Sequence, residues 1–498
     1  MAPDRLETQV IVVGAGPVGL MLAGELRLGG VDVVVLEQRR GPTQESRAST
    51  LHARTMEILD SRGLLPDFGE PPNEPRGHFG GIPLDLALPG PYPGQWKVPQ
   101  ARTEAVLEEW VLSLGADIRC GHELHELRTA DDDEDRGADG GYVEAVAAGR
   151  EGDLTVRGSF LVACDGEDST VRRLTGARFP GQDARRELLR ADVEGIEVPG
   201  RRFERLPDGL AIAARRDGVT RVMVHEFGST APVRTGDASF DEIVTAWKRV
   251  TGEDISGGTP LWVNSFGDTN RQLVHYRHGR VLFAGDAAHR QMPIGGQALN
   301  LGLQDAFNLG WKLAAALGGA PPELLDTYHD ERHAVGRRVL ANIRAQAMML
   351  LGGPEVNPLR AVLTELIAHE DVRAHLAGMI SGLDVRYRVG GPAHRLLGTR
   401  LPPTRLRVGD RQPTTTELLR APRCGLLLDL RDGPAGTPAA TPPDDRIAVV
   451  RAAPAHPGSA LEGVGRVLVR PDGHVAWAAD HGDDGLPAAL DRWFGPRR

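Results

Sequence analysis

The stretch QVIVVGAGPVG, residues 9–19, decides the fold of the first part of the chain. Its β-branched apolar run is typical of a buried parallel strand. The glycines that follow have the spacing GxGxxG: Gly14 allows a tight turn, Gly16 lets a pyrophosphate approach the backbone, and Gly19 lets helix and strand pack closely. Pro17 suits a first helical turn, where its missing N–H is not needed. The stretch predicts a strand–turn–helix unit that binds a dinucleotide at the helix N-terminus.

A carboxylate at the end of the next strand supports this interpretation. The helical pattern runs to Leu28, and residues 31–36 form the second apolar strand. Glu37 follows directly, about 20 residues after the glycines, where a ribose-binding carboxylate is expected. The alternative is an ordinary glycine-rich turn, with Glu37 merely exposed at a strand end.

Composition and charge argue against two classes of protein. The 498 residues suffice for two to four domains. A net charge of −10 argues against nucleic acid as a partner. The most apolar stretch, residues 10–28, is interrupted by Glu25 and Arg27, so we expect no membrane span.

The cysteines and the N-terminal residues bear on the compartment. Cys120, Cys164 and Cys424 are far apart and form neither a CxxC pair nor a metal-ligand spacing. The charged residues before the first apolar stretch do not resemble a signal peptide. We therefore expect a cytoplasmic protein without a metal site.

The pattern along the chain changes several times. Residues 131–141 are acidic and glycine-rich, which predicts a surface hairpin loop. Alternating apolar residues between 180 and 278 predict an antiparallel sheet. A long helix is expected at about 297–317, with further helices to about 380. Beyond 390 the chain again resembles strands, which indicates a separate C-terminal domain.

A second motif is CDGEDSTVRR, residues 164–173. An apolar strand ends at Asp165-Gly166, and a helix begins near Ser169. The alternative interpretation is a plain Asp-Gly turn followed by a helix N-cap.

The third motif is GDAAH, residues 285–289, continued by PIGGQALN, residues 293–300. Asp286, at the end of a strand, is able to bind sugar hydroxyls. Two glycines before a long helix offer free N–H groups and the positive end of the helix dipole, which stabilise negative charge on a ring such as a reduced flavin. The glycines are alternatively a flexible connector. For His289 the favoured interpretation is a loop histidine without a role.

Together these three motifs, in this order, resemble the group A flavin-dependent aromatic monooxygenases, the para-hydroxybenzoate hydroxylase-like family. The stretches ESRASTLHARTMEILDSRGLLPDF, VPQARTEAVLEEW and LLDTYHDERHAVG are similar to the aromatic polyketide hydroxylases, and most of all to angucycline hydroxylases of antibiotic pathways. The resemblance covers essentially the whole chain. The tail, with VLVRPDGHVAWAA, resembles their thioredoxin-like C-terminal domain, here without a CxxC pair.

The resemblance implies an α/β fold with three parts. A Rossmann-like FAD-binding domain would comprise residues 1–75, 100–178 and 279–390. An antiparallel-sheet substrate domain would comprise residues 76–99 and 179–278. A thioredoxin-like C-terminal domain would comprise residues 391–498.

The same resemblance implies the residues that bind FAD. They are Gly14, Gly16, Pro17, Val18, Gly19, Glu37, Gln38, Arg47, Ala48, Gln100, Asp165, Gly166, Gly285, Asp286, Gly296, Gln297, Ala298, Leu299 and Asn300. The backbone of Pro293, Gly295 and Gly296 would line the flavin edge where catalysis occurs.

Individual roles follow from the family. Glu37 would bind the adenosine ribose, and Asp286 the ribityl or ribose region. Arg47 and Gln100 would contact the phosphates and the ribityl chain, with Arg47 also near NADPH. Asp165 would serve FAD and NADPH together. Ala298 departs from the family, which usually has glycine there; the change would matter if the position required a positive φ.

The implied reaction is hydroxylation of a polycyclic aromatic polyketide of the angucyclinone type, with NADPH as reductant, molecular oxygen as co-substrate and a flavin C4a-hydroperoxide as the oxygen donor. The pocket is expected between the flavin domain and the antiparallel sheet. The candidate wall residues are Phe79, Trp96, Met223 and Phe227, although core packing is the favoured interpretation for each. His78, in HFGG, is a hypothetical proton acceptor and is otherwise structural.

Three alternatives stay open. A Baeyer–Villiger enzyme would use the same FAD site, a flavin-dependent reductase or dehydrogenase would omit oxygen insertion, and a binding protein with this fold would carry no flavin. The choice between NADPH and NADH, and between monomer and homodimer, also stays open.

Overall fold

The computed structural model describes residues 4–41, 49–130, 141–234, 236–420, 425–431 and 446–495. Arg47, Ala48 and Cys424 lie outside the described residues. So does most of the predicted acidic loop, whose flanking strands pair antiparallel, with Ala130 opposite Tyr142.

A six-stranded sheet forms the centre of the first structural unit. Its order is Arg277–His278, Val281–Phe283, Phe160–Ala163, Val10–Val13, Val33–Glu37 and Asp117–Cys120. All strands after the first in this order run parallel. The central strands are buried on both faces, which explains their continuous apolar runs. The predicted strand–helix–strand unit at the start of the chain is confirmed.

The described residues form eleven α-helices, and six of these begin at or after residue 297. They are α1 (Pro17–Leu28), α2 (Ala53–Asp60), α3 (Gln100–Ser113), α4 (Thr170–Thr175), α5 (Phe240–Thr251), α6 (Gln297–Leu317), α7 (Pro322–Leu351), α8 (Asn357–Ile367), α9 (Glu370–Ser381), α10 (Thr415–Leu418) and α11 (Leu486–Phe494). None of them is both long and apolar enough to cross a membrane.

A five-stranded antiparallel sheet forms the second unit, as the alternating pattern predicts. Its order is Arg201–Leu206, Gly209–Arg216, Val219–Glu226, Glu187–Glu194 and Thr259–Gly267. Helix α5 covers one face of this sheet and buries Trp247 there.

Smaller sheets complete the parts around these two. A four-stranded sheet has the order Asp4–Glu7, Gly152–Gly158, Tyr142–Gly149 and Glu123–Ala130. Two three-stranded sheets have the orders Leu51–His52, Gln95–Trp96, Asn73–Glu74 and Gly181–Gln182, Asn270–Gln272, His289–Gln291. The two-stranded pairs are Arg76–Phe79 with Ile82–Asp85 and Leu406–Arg407 with Ala453–Pro454.

The C-terminal unit is a four-stranded sheet with α11 against it. The order is Ile447–Arg451, Gly425–Asp429, Arg466–Val469 and Val475–Ala479, of which only the first pair is parallel. This is the expected thioredoxin-like unit. Trp311 of α6 belongs to the same apolar cluster as Trp493 of α11, so the C-terminal unit shares a core with the helix that packs on the first unit.

A buried group of charges also joins these two units. Arg470, which is fully buried, donates from Nη1 to Glu331 Oε1 (2.6 Å) and also bonds Asp472. Lys312 of α6 donates to Glu331 Oε2 (2.8 Å). Burial alone would raise the pKa of Glu331, but Arg470 and Lys312 lower it to about 2. Two cations thus face two carboxylates inside the protein.

Candidate functional site

The glycine-rich loop has the geometry that its spacing predicts. Gly14 has φ +102°, and a Cβ there would lie 2.4 Å from the carbonyl oxygen of Cys164. A Cβ on Gly19 would lie 1.9 Å from the carbonyl oxygen of Gly14. Around Gly16 there is open space: apart from its chain neighbours, no atom of the described residues lies within 4 Å of an added Cβ. Gly14 and Gly19 are therefore required by the fold, whereas Gly16 leaves room for a ligand.

Glu37 lies beside this loop. Its Oε2 accepts a hydrogen bond from the Ala15 N–H (2.8 Å), and its Oε1 accepts one from the Arg39 N–H (2.8 Å). Gln100, at the start of α3, donates to Glu104, whose other oxygen lies 3.7 Å from Arg39. Glu37 and Gln100 are thus brought to one side of the loop, where Gln38 is exposed.

The second motif, at Asp165-Gly166, lies against the same glycine-rich loop. The Cα of Asp165 is 3.1 Å from the position of a Cβ on Gly14. Asp165 Oδ2 accepts from the Val171 N–H (3.0 Å), while Oδ1 is buried without a hydrogen-bond partner among the described residues. Burial raises the pKa of Asp165. Gly166, with φ +79°, completes the turn.

The turn at Gly285-Asp286 is held by Asp305 of α6. The N–H of Gly285 (3.1 Å) and Nε2 of His289 (2.7 Å) both bond Asp305 Oδ2, and Arg332 donates to Oδ1 of the same carboxylate (2.7 Å). These side chains are fully buried. The interpretation of His289 as a loop histidine without a role is wrong: it holds the turn that presents Asp286, which is exposed between buried neighbours.

The start of α6 is preceded by a left-handed glycine pair. Gly295 has φ +64° and Gly296 has φ +70°. Asn300 fixes this turn, because its Nδ2 donates to the Gly296 carbonyl (2.7 Å) and to the Thr50 carbonyl (2.9 Å). Its Oδ1 accepts from the His52 N–H (2.8 Å). The N-terminus of α6 is thereby held in place.

The alanine at 298 is harmless to the backbone. It lies inside α6, and the described non-glycine residues with positive φ are Phe203 and Asp217. The family's glycine is therefore not needed for conformation here. Leu299 packs against the main core.

These residues fit a flavin dinucleotide. The open space at Gly16 suits a pyrophosphate, and the orphan Oδ1 of Asp165 lies next to that loop. At the start of α6, both side-chain amide atoms of the buried Gln297 lack hydrogen-bond partners within the described part of the chain. Buried polar atoms without partners are costly, and a polar ligand would satisfy them.

A cavity of about 510 Å³ meets the glycine pair from the side of the antiparallel sheet. Its walls include Thr50, His78, Lys97, Phe203, Ile212, Gly295 and Gly296. The space is large enough for an aromatic ligand, and its inner end is the predicted flavin edge.

The four predicted wall residues do not line this cavity. Phe79 alternates with His78 along one strand, so it points away into a core with Met349. Trp96 packs on the main core, and Met223 and Phe227 belong to a cluster that also contains the cavity residues Phe203 and Ile212. Trp96, Met223 and Phe227 are half-buried, and their contact with substrate stays a prediction.

His78 is placed to donate rather than to accept a proton. The Gly81 N–H donates to its Nδ1 (3.1 Å), so the proton of the neutral ring resides on Nε2. Burial is the main cause that lowers the pKa of His78 to about 4. A ring with this pKa is a weak base, which argues against the hypothesis that His78 accepts the substrate's proton.

Phe203 forms part of the cavity wall without any signal in the sequence. It has φ +52° at a bulge, where the strand register shifts between Arg201 and Glu204. Its ring lies 4.0 Å from the His78 ring, measured between centroids. A side chain in this strained backbone region is held there by its surroundings and is often found at ligand sites.

The buried His52 predicts an acid-sensitive fold. Burial lowers the pKa of His52 to about 4, against a partial opposing effect of the Gly295 and Ile380 backbone. Below pH 6.5 the unfolded chain binds a proton that the folded protein excludes, so stability falls with pH by about 1.4 kcal/mol per unit for this residue. Between pH 6.5 and 4, we expect His52→Gln to remove this residue's contribution to the slope of the free energy of unfolding against pH.

Urea unfolding at pH 7, 6 and 5 measures the effect. The matched control is His456→Gln at an exposed position, which should keep the wild-type slope. Equal slopes in all three proteins would contradict the prediction.

Two known protein families together match most of the chain. Residues 7–343 match the FAD binding domain family, and residues 394–496 match the aromatic-ring hydroxylase C-terminal family. A Streptomyces rimosus protein named 12-dehydrotetracycline 5-monooxygenase/anhydrotetracycline 6-monooxygenase is 42% identical, over 98% of this chain and 99% of that protein.

Two further relatives show the range of activities among similar proteins. The crystal structure of CabE, an aromatic hydroxylase from angucycline biosynthesis, is 50% identical with a TM-score of 0.92, covering 99% of this chain and 100% of that one. The dialkyldecalin synthase of Streptomyces rugosporus is 41% identical, over 98% of this chain and 99% of that protein.

Proposed function

Because this chain belongs to the family of FAD-binding aromatic-ring monooxygenases, we propose that it hydroxylates an aromatic polyketide of the angucyclinone type, with NADPH as the reductant. The observation that carries this proposal is the cavity that ends at Gly295 and Gly296. Half of the residues are shared with an angucycline hydroxylase, which supports this substrate class over a tetracycline-type one. When bound, FAD supplies hydride acceptance and oxygen activation; the chain supplies binding, orientation and exclusion of water.

The proposed residue roles follow the site geometry. Glu37 binds the adenosine ribose, the loop at Gly16 takes the pyrophosphate, and Asp286 contacts the ribityl region. The α6 N-terminus, with Gln297 and Asn300 at its start, lies at the isoalloxazine edge and favours negative charge there. Arg47 and Ala48 are assigned to FAD by their sequence positions alone.

The proposed domain division keeps the predicted boundaries. Residues 1–75, 100–178 and 279–390 bind FAD, residues 76–99 and 179–278 bind substrate, and residues 391–498 form the C-terminal domain. Each part contains its own sheet, and the cavity lies between the first two parts.

A turnover under ¹⁸O₂ tests the function. Purified holoenzyme is incubated with NADPH and an early angucyclinone, and the product is fragmented in a mass spectrometer. We expect one labelled oxygen on an intact ring skeleton. Label inside an opened or lactonised ring would establish Baeyer–Villiger chemistry instead. NADPH consumption that yields only peroxide would contradict the substrate assignment. Replacing NADPH by NADH in parallel tests the reductant.

A cyclase is the second candidate function. The similarity to a dialkyldecalin synthase is nearly as high as that to the tetracycline monooxygenase. Such an activity would give an unlabelled isomer of the substrate, formed without NADPH, so the same assay separates the two functions.

A further inference from the structure

A lysine lies next to the predicted flavin edge, on the cavity wall. Lys97 Nζ donates to Thr50 Oγ1 (3.3 Å). The Cβ of Thr50 in turn lies 3.0 Å from where a Cβ on Gly296 would be. Lys97 is thus one side chain away from the glycine pair at which the substrate ring must be oxidised.

Among the described residues, Lys97 forms no ion pair. The nearest acidic influence is Glu74, whose Oε1 is already bonded by the Arg76 N–H and Nε, both at 3.1 Å. Burial lowers the pKa of Lys97, Glu74 partly opposes this, and Arg202 adds to it. An ammonium group partly withdrawn from water, with no anion of its own, is a binding partner for an anionic ligand atom.

The other charged groups around this end of the cavity favour an anion as well. The charged and titratable side chains near Lys97 are His52, Glu74, Arg76, His78, Arg201 and Arg202. Arg201 is paired with Glu253 (2.8 Å), and both histidines are held neutral by burial. Arg76 is paired with Glu74 (3.1 Å), so Lys97 and Arg202 are the cations at this end that form no ion pair among the described residues.

We propose that Lys97 binds the ionised phenol oxygen of the substrate, an inference that rests on the proposed function. The phenol O–H bond breaks, its proton passes to water at the cavity mouth, and the electron pair stays on the oxygen as a phenolate paired with the ammonium. That negative charge enriches the ortho and para ring carbons, which are the positions an electrophilic oxygen attacks. His78 then needs no role as a base, and Lys97 selects substrates whose phenol lies ortho or para to the reacting carbon.

The test follows the ionisation of a bound dye rather than turnover. Alizarin, a hydroxyanthraquinone whose visible band moves to the red on ionisation, is titrated with pH in the presence of excess holoenzyme. We expect the bound dye to ionise about one to two pH units below the free dye, as for an acid beside a fixed cation. Lys97→Met should abolish this difference, and Lys97→Arg should restore most of it.

Arg76→Met is the matched control. It removes the same charge from the same cavity, but at an exposed side chain that is already bonded to Glu74. We expect this variant to keep the wild-type dye titration. Circular dichroism and the ratio of bound FAD verify that each variant is folded.

Three outcomes would overturn the proposal: a dye that ionises in the wild type as it does in water, a dye that does not bind the wild type, or an unchanged difference in Lys97→Met. None of these outcomes changes the interpretation of the ¹⁸O₂ assay. A labelled product together with any of them would leave the monooxygenase in place and remove Lys97 as the phenolate site.

Discussion

Replacing Arg470 with methionine is expected to lower the free energy of unfolding by about 3–5 kcal/mol, the usual loss when one partner of a buried charge group is removed. Arg470 is fully buried and bonds both Glu331 and Asp472. Without it, two buried carboxylates retain Lys312 as their nearest buried cation. The guanidinium also lies over the Trp493 ring, 4.5 Å from its centroid, so packing is lost as well.

Equilibrium unfolding in guanidinium chloride with saturating FAD, followed by tryptophan fluorescence, measures this loss. Arg420→Met is the control, since Arg420 also joins the C-terminal part to the rest through an ion pair, with Asp60 at 2.8 Å. That pair is partly exposed, so we expect a loss below about 1 kcal/mol. Equal losses in the two variants would show that the buried charges do not stabilise the fold as described.

Replacing Gly16 with valine is expected to leave the fold intact and to abolish tight FAD binding. Beyond its chain neighbours, no described residue lies within 4 Å of a Cβ at this position, and its φ of −73° suits any residue. A side chain there would occupy the space assigned to the pyrophosphate. The loss of two hydrogen bonds to a charged group corresponds to at least about 100-fold weaker binding.

Gly14→Val is the contrasting variant. Its Cβ would clash with the Cys164 carbonyl, and its φ of +102° is strained for valine, so both folding and FAD binding should fail. FAD affinity is measured by flavin fluorescence quenching, and folding by thermal denaturation without FAD. A Gly16→Val protein that still purifies yellow would contradict the assignment of this loop to the pyrophosphate.

Local patterns predicted the parts of the site that depend on local backbone geometry. The glycine loop, the strand that ends at Glu37 and the start of α6 at Gln297 all lie where the sequence places them. Glycine spacing and apolar periodicity express turn conformation and burial within a few residues, so they can be recognised without knowing the tertiary structure.

Contacts between distant segments were not predictable in this way. Thr50 and Asn300 meet across 250 positions, and this contact is part of what places Lys97 near Gly296. His289 looked like a loop residue because its partner Asp305 lies on the next helix. Phe203 points at His78 through a bulge that no turn residue marks.

The buried arginine also constrains how the chain acquires its structure during synthesis. Glu331 and Arg470 are 139 positions apart, an interval that takes a ribosome roughly seven to thirty seconds to translate. Throughout that time α6 and α7 lack Trp493, which packs with Trp311, and Arg470, which completes the charge group. The core that α6 shares with the C-terminal unit therefore forms only after that unit is translated, and a nascent chain interrupted before residue 470 exposes the apolar surface at Trp311.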